Sequence, residues 1–276
     1  MNQTAYAMKK YLLLPFLVLP LLSQAQSTKG PYIGVTTQFQ NTWIINDEQY
    51  EDVNYEHKFT TKWAPFGITA GYKFNENHNL QVELIRSKQG ENFDIVDVNG
   101  DKTGEKEIDL VYWNVPLLFK YTTTGRMRFN FHFGPQVSFL QKGTETNRLN
   151  RTATYHQKGD EYRVPGGNFL LASTDEEDRQ KDSRVGSFNK YDLGGAVGAG
   201  VELDVNSNTY ISANLRGHYN FVNIRKEENI NDKTLPEAQR RDPDWYNLRQ
   251  NLVIGIQVGV HFLFNTGDGT SPARHE

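Results

Sequence analysis

The sequence predicts an all-β fold, an eight-stranded antiparallel transmembrane β-barrel with short periplasmic turns and long extracellular loops. Three observations predict it. Apolar and polar residues alternate with period two in eight separate segments, the segments are joined by connections that alternate between short and long, and aromatic residues collect near the segment ends. In a strand, successive side chains point to opposite faces. A strand that spans a membrane needs one apolar face toward lipid and one polar face toward a packed interior.

The N-terminus reads as a secretory signal peptide over residues 1–25. Lys9 and Lys10 supply the charge, Tyr11 to Leu22 the apolar run, and Ser23-Gln24-Ala25 the small residues of a cleavage site before Gln26. Met8 is an alternative start. A transmembrane helix is the rival reading, but the run is short for a span of roughly 20 residues and contains Pro15 and Pro20. Residues 26–264 are then the barrel, and 265–276 a periplasmic tail.

The first strand is expected over Tyr32 to Ile45, with Ile33, Val35, Thr37, Phe39, Trp43 and Ile45 on its apolar face. The second covers Ala64 to Phe74, the third Asn79 to Lys88 and the fourth Leu110 to Tyr121. The fifth, Arg128 to Gln141, sets Phe129, Phe131, Phe133, Val137 and Phe139 against Asn130, His132, Gly134, Gln136 and Ser138. The sixth covers Tyr191 to Val205, the seventh Thr209 to Ile224 and the eighth Asn251 to Phe264. Asn75 to His78, Thr122 to Arg126 and Asn206 to Asn208 have the composition of tight turns. Four connections are long: 46–63, 89–109, 142–190 and 225–250. Asn99-Gly100 is a hairpin signal, so the third and fourth strands are expected to continue beyond the membrane as a ribbon. An even strand count puts both termini in the periplasm.

Trp43, Trp63, Trp113, Tyr191 and Tyr246 lie near the loop-side ends; Tyr72, Phe74, Tyr121 and Phe264 lie near the turn-side ends. Such girdles flank the lipid band of a barrel, although strands are aromatic-rich in any setting. Alternation alone also fits a lipocalin, whose apolar row faces inward. Three features favour the membrane. The connections are lopsided in length. The apolar row is bulky, whereas the other row is rich in small residues such as Gly194, Gly198, Gly200, Gly255 and Gly259. That second row also carries charges of both signs.

Those inward charges are Lys73, Lys120, Arg128 and Arg216, balanced by Glu83, Asp192, Glu202 and Asp204. The interior of an eight-stranded barrel has room only for its own side chains, and buried charges need partners. A plugged network is expected in which Glu83 and Glu202 meet Arg216, Arg128 or Lys73. A narrow pore or proton path lined by the same residues is the rival.

The chain has no cysteine, which excludes disulfides, thiolate metal sites and a lipidated N-terminal cysteine. Its net charge of -3 argues against a nucleic-acid partner. Mean hydropathy is negative, as it also is in barrels whose loops and inner faces are polar. His132, His218 and His261 fall on the inward row, away from any serine at a lipid-facing rim, so no catalytic residue is assigned. Asp97 to Asp101 fails the calcium-loop pattern at Lys102 and Ile108. Asp175-Glu176-Glu177-Asp178 could hold a divalent cation or a partner, or form a solvated mixed-charge loop with Arg179, Lys181 and Arg184. No cofactor or metal site is assigned. Long loops are rarely idle, so a protein partner is expected at 142–190 or at 225–250, around Pro243-Asp244-Trp245-Tyr246.

Leu80 to Gly90 (LQVELIRSKQG), Tyr112 to Tyr121 (YWNVPLLFKY), Phe131 to Leu140 (FHFGPQVSFL), Tyr191 to Asp204 (YDLGGAVGAGVELD) and Gly259 to Phe264 carry a resemblance. In order and spacing they resemble the PorT-like outer-membrane barrels of Bacteroidota, over about Tyr32 to Phe264. The resemblance implies insertion into the outer membrane by the barrel-assembly machinery, with an aromatic-ended last strand as the signal. Phe264 suits that role, although Asn265 to Glu276 follow it. It also implies a possible part in protein secretion, since one founding member is needed by the type IX system; no catalytic motif is defined for the family. The leading expectation is a non-enzymatic structural or interaction barrel acting through its outer loops. An accessory component of a secretion or assembly machine comes next, then a narrow solute transporter, and an enzyme last.

Overall fold

Period two decides which side of each strand meets lipid, and the barrel follows from it. The structure is a computed structural model that describes residues 29–45, 54–125, 127–157, 160–182, 185–226 and 248–264. The expected signal peptide, the tail, Tyr246 and most of the fourth long connection lie outside the described residues.

Eight long strands close a ring: β1 (Gly30–Ile45), β3 (Thr61–Lys73), β4 (His78–Val96), β5 (Lys102–Thr122), β6 (Met127–Leu149), β10 (Tyr191–Asp204), β11 (Thr209–Asn220) and β12 (Gln250–Leu263). They pair antiparallel in that order. β12 returns to β1 from Tyr32↔Leu263 to Ile45↔Gln250, so no edge is left open. The tight turns and both ring ends share one rim; the long connections leave from the other.

The faces separate cleanly. Phe129, Phe131 and Phe133 stand outside at 60%, 48% and 50% exposure, while Asn130 and His132 between them are 4% and 1% exposed. Leu215, Ile256, Leu193 and Val35 are likewise exposed, and Gln257, Ser212, Asn214 and Gln38 are buried. An apolar outside around a polar inside is the reverse of a lipocalin, and it settles the orientation of the faces. No described helix is long and apolar enough to cross a membrane; the strands cross it. In β3 the alternation slips where Pro65 and Phe66 together oppose Thr37, a bulge that lets a residue without an N–H sit in the ring.

Beyond the ring, β4 and β5 continue as the expected ribbon to a turn at Asp97–Asp101, where Gly100 takes φ 80°. The connection at 142–190 is more ordered than its reading as a loop. β6 runs on to Leu149 and pairs with β9 (Gly167–Ser173). β2 (Tyr55–Lys58) adds to the upper part of β4. β7 (Ala153–Gln157) and β8 (Asp160–Val164) form a hairpin docked through Ile95, Leu149, Ala153 and Tyr155. A register slip between Val111 and Tyr112 leaves Gln141 as an extra residue on β6 and reverses the phase, so the inward row changes from Gln136 and Ser138 to Gly143 and Glu145. A fixed-phase reading of period two therefore stops at Gln141. The acidic run forms α1 (Glu176–Lys181). Asp175 caps it by accepting from the Glu177 N–H at 3.0 Å, with Glu176, Glu177 and Asp178 in the first turn and Arg179 and Lys181 in the last, as a helix dipole favours.

Candidate functional site

The barrel interior holds most of the polar side chains singled out in the sequence, and its residues form layers from the turn rim upward. At the bottom, Tyr32, Tyr210 and Leu263 cluster. His261 stacks on Tyr210 with ring centroids 4.6 Å apart. The Lys73 ammonium lies 4.6 Å above the same ring, and Tyr32 donates to Gln81 at 2.8 Å. Lys73 thus meets an aromatic face; no ion pair is found for it among the described residues.

Two ionic centres stand above this floor. Glu202 on β10 pairs with Lys120 on β5 and, at 3.2 Å, with Arg128 on β6. Arg128 also holds Asp204 at 2.7 Å. Glu83 on β4 receives the Arg216 guanidinium from β11 in a two-pronged contact, one prong at 3.0 Å. Gln257 donates to the same carboxylate at 3.1 Å. Arg216 also reaches His132 Nε2 at 3.3 Å, and His132 Nδ1 contacts the Asn130 amide oxygen at 3.1 Å. With Nε2 accepting, the imidazole carries its proton on Nδ1. Bidentate geometry and second hydrogen bonds are what make a buried pair tolerable. Asp192 stands apart, accepting from the Val222 N–H at 3.2 Å, with no basic partner among the described residues.

Over these centres lies an apolar roof of Ile44, Phe93, Ile108, Leu110, Tyr112, Ala172, Phe188 and Ile224. At the level of this roof, opposite Ile108 and Ala172, Glu145 is buried against three cations: Arg225 at 2.7 Å, Lys106 at 3.2 Å and Arg249 at 3.3 Å. Burial opposes ionisation of Glu145, but the Arg225, Lys106 and Arg249 charges outweigh it and hold its carboxyl well below the usual range. Three cations share one carboxylate; burial, with the Arg249 and Arg225 charges, pulls Lys106 down despite Glu145. Arg225 and Arg249 stand at the two ends of the fourth long connection, so Glu145 clasps both ends to β6. The roof and the clasp were not anticipated from sequence, because Phe93, Ile108, Glu145 and Arg225 fall in stretches read as loops.

The expected interface aromatics Trp43, Trp63, Trp113, Tyr121, Tyr191 and Phe264 all lie on the outer face. Trp63 stacks on Phe39 at 5.9 Å and donates from its indole to Thr37 at 2.8 Å. The acidic run is spent on α1: Asp178 accepts from Ser173 at 2.8 Å, and Glu177 pairs with Lys181 at 3.1 Å. Among the described residues, no group of three His, Cys, Asp or Glu is placed to hold a metal.

A family model described as outer membrane protein beta-barrel domain matches residues 24–226. The chain belongs to that family. The family places it in the cell outer membrane, as the closed ring and apolar outside require. No curated protein matches it. Among solved structures, it is similar to the Neisserial surface protein NspA, at 10% identity over 87% of this chain and 100% of that one, with a TM-score of 0.41. Another is the Pseudomonas aeruginosa outer membrane protein OprG, at 11% over 88% and 100%, TM-score 0.41. A third is Ail, the attachment invasion locus protein of Yersinia pestis, at 10% over 85% and 99%, TM-score 0.38.

Proposed function

We propose that this chain is a non-enzymatic outer-membrane barrel that works through its extracellular surface, as a structural or interaction protein. The observation that carries this reading is the filled interior: an aromatic floor, two ionic centres, and an apolar roof with the Glu145 clasp beside it occupy the lumen. A filled lumen leaves the outer sheet of β2, β4, β5, β6 and β9, with the β7–β8 hairpin, as the part free to meet a partner. The test is crosslinking in intact outer membranes followed by mass spectrometry of what travels with the chain. A reproducible surface ligand or partner protein on residues 142–190 or 225–250 supports the reading. Recovery of the monomer alone, with solute flux through the purified protein, overturns it in favour of a narrow transporter.

A second reading is an accessory component of a type IX secretion or outer-membrane assembly machine. The resemblance of YWNVPLLFKY and its companion segments to PorT-like barrels favours it, as does the one-sided outer sheet. A partner at equal stoichiometry that belongs to such a machine, and loss of secretion on deletion, would select it.

A further inference from the structure

We propose that the extracellular rim of β4, β5, β6 and β10 binds the phosphorylated head group of an outer-leaflet lipid. Strand register builds the site. Arg86 lies opposite Trp113, Trp113 opposite Phe139, and Phe139 opposite Tyr191, so one cation and three aromatics form a row on the lipid-facing surface. One step further from the membrane, Lys88 lies opposite Val111 and Val111 opposite Lys142. Lys190 lies between the two rows at the start of β10, its carbonyl accepting from the Leu140 N–H at 2.9 Å. Lys88, Lys142 and Lys190 are exposed. Arg86 spans the row to Gln141 at 3.2 Å. None of these four cations makes an ion pair with a described residue; Asp109, one row higher, is held by Lys62 at 2.6 Å and also feels the Lys88 charge.

The two rows match the two parts of a lipid. Aromatic side chains settle at the interface, and cations just beyond them meet anionic head groups. Beside Tyr191 a groove of about 350 Å³, lined by Asn189, Lys190, Tyr191, Leu193, Val222 and Lys226, runs from cations to lipid-facing aliphatics. The patch is one-sided: near the extracellular ends of β12 and β1, the outward residues Leu252, Asn41 and Trp43 carry no charge. Continuity with the lipid band favours a membrane lipid over a soluble protein as the occupant. The inference does not depend on the filled lumen.

The experiment uses the full-length barrel in phosphatidylcholine nanodiscs doped with bisphosphorylated lipid A or with the same lipid after enzymatic dephosphorylation. Lipid retained after detergent exchange is counted by mass spectrometry. Wild type is expected to retain the phosphorylated form at least tenfold better. The triple variant Lys88→Gln, Lys142→Gln, Lys190→Gln should lose that preference, and the three Lys→Arg replacements should keep it. Equal retention of the two lipids by wild type overturns the proposal, as does an unchanged preference in a folded triple variant. Displacement of the lipid by millimolar inorganic phosphate would make this a free-anion site and overturn it too. If the triple variant fails to fold, judged by heat-shifted gel mobility, the wild-type comparison alone decides.

Discussion

Glu83 and Arg216 show what a buried pair contributes and what it does not. Removing one partner leaves the other charged and buried, at a cost of about 3–5 kcal/mol; removing both together often costs little. Glu83→Gln alone is therefore expected to destabilise the barrel by about that amount, and Glu83→Gln with Arg216→Met by much less than the sum of the singles. Urea unfolding in lipid vesicles measures both; strictly additive effects would mean the two groups are not coupled. Glu145 gives a pH signature. Its folded-state value lies below its unfolded value of about 4.3, so its contribution is fully present above that pH and is lost as pH falls below it. Glu145→Gln should cost about 3–5 kcal/mol at pH 7 and flatten the acid side of the stability profile. A profile as steep as that of wild type would remove Glu145 as its source. At this scale the sequence disclosed which side chains turn inward, because period two assigns faces. It narrowed the partners without assigning them: Glu83 does meet Arg216, 133 residues away, and Glu202 meets Arg128, but Glu202 also takes Lys120 rather than Lys73. Pairing there depends on height and angle around the barrel, which alternation does not encode.

Strands carry the lipid contact, and a charge on their outer face is costly. Leu215→Arg near mid-membrane is expected to cost about 2–4 kcal/mol, whereas Lys181→Gln on α1 should leave stability unchanged. Equal tolerance at both sites would invert the face assignment. The ribbon offers a sharper contrast. Gly90 has φ 114°, and an added Cβ would run into the Ile108 carbonyl; Gly100 has φ 80° with open space around it. Gly100→Ala should cost only backbone strain of about 1 kcal/mol, and Gly90→Ala distinctly more, since the neighbouring strand must shift. Chemical denaturation of the two variants side by side checks the order. The eight ring strands were legible because lipid and lumen impose opposite chemistry on alternate residues. Beyond the membrane the β4–β5 ribbon was legible from its Asn-Gly turn, but β2, β7, β8, β9 and the upper part of β6 were not. Above the membrane both faces of β6 and β9 meet protein or water, the alternation weakens, and the bulge at Gln141 breaks its phase.

Over the whole molecule, the layers in the lumen predict that the purified monomer carries no nanosiemens conductance in a planar bilayer, and that emptying the ionic layer alone does not open a path past Tyr112, Phe93 and Ile108. Stable large openings in the wild-type protein would contradict the filled lumen.

The reach of the interior contacts also sets an order of assembly. Glu83 waits for Arg216, 133 residues later, and for Gln257, 174 residues later; Glu145 waits for Arg249, 104 residues later. An intermediate holding only β1 to β6 would carry Glu83 without Arg216, Lys120 without Glu202, and Glu145 with Lys106 but without Arg225 and Arg249, so these charges must stay in water until β10, β11 and β12 arrive. Closing the ring and drying its centre are therefore one late event, and a chain stalled before its last strands would present its future interior as an open, wettable trough.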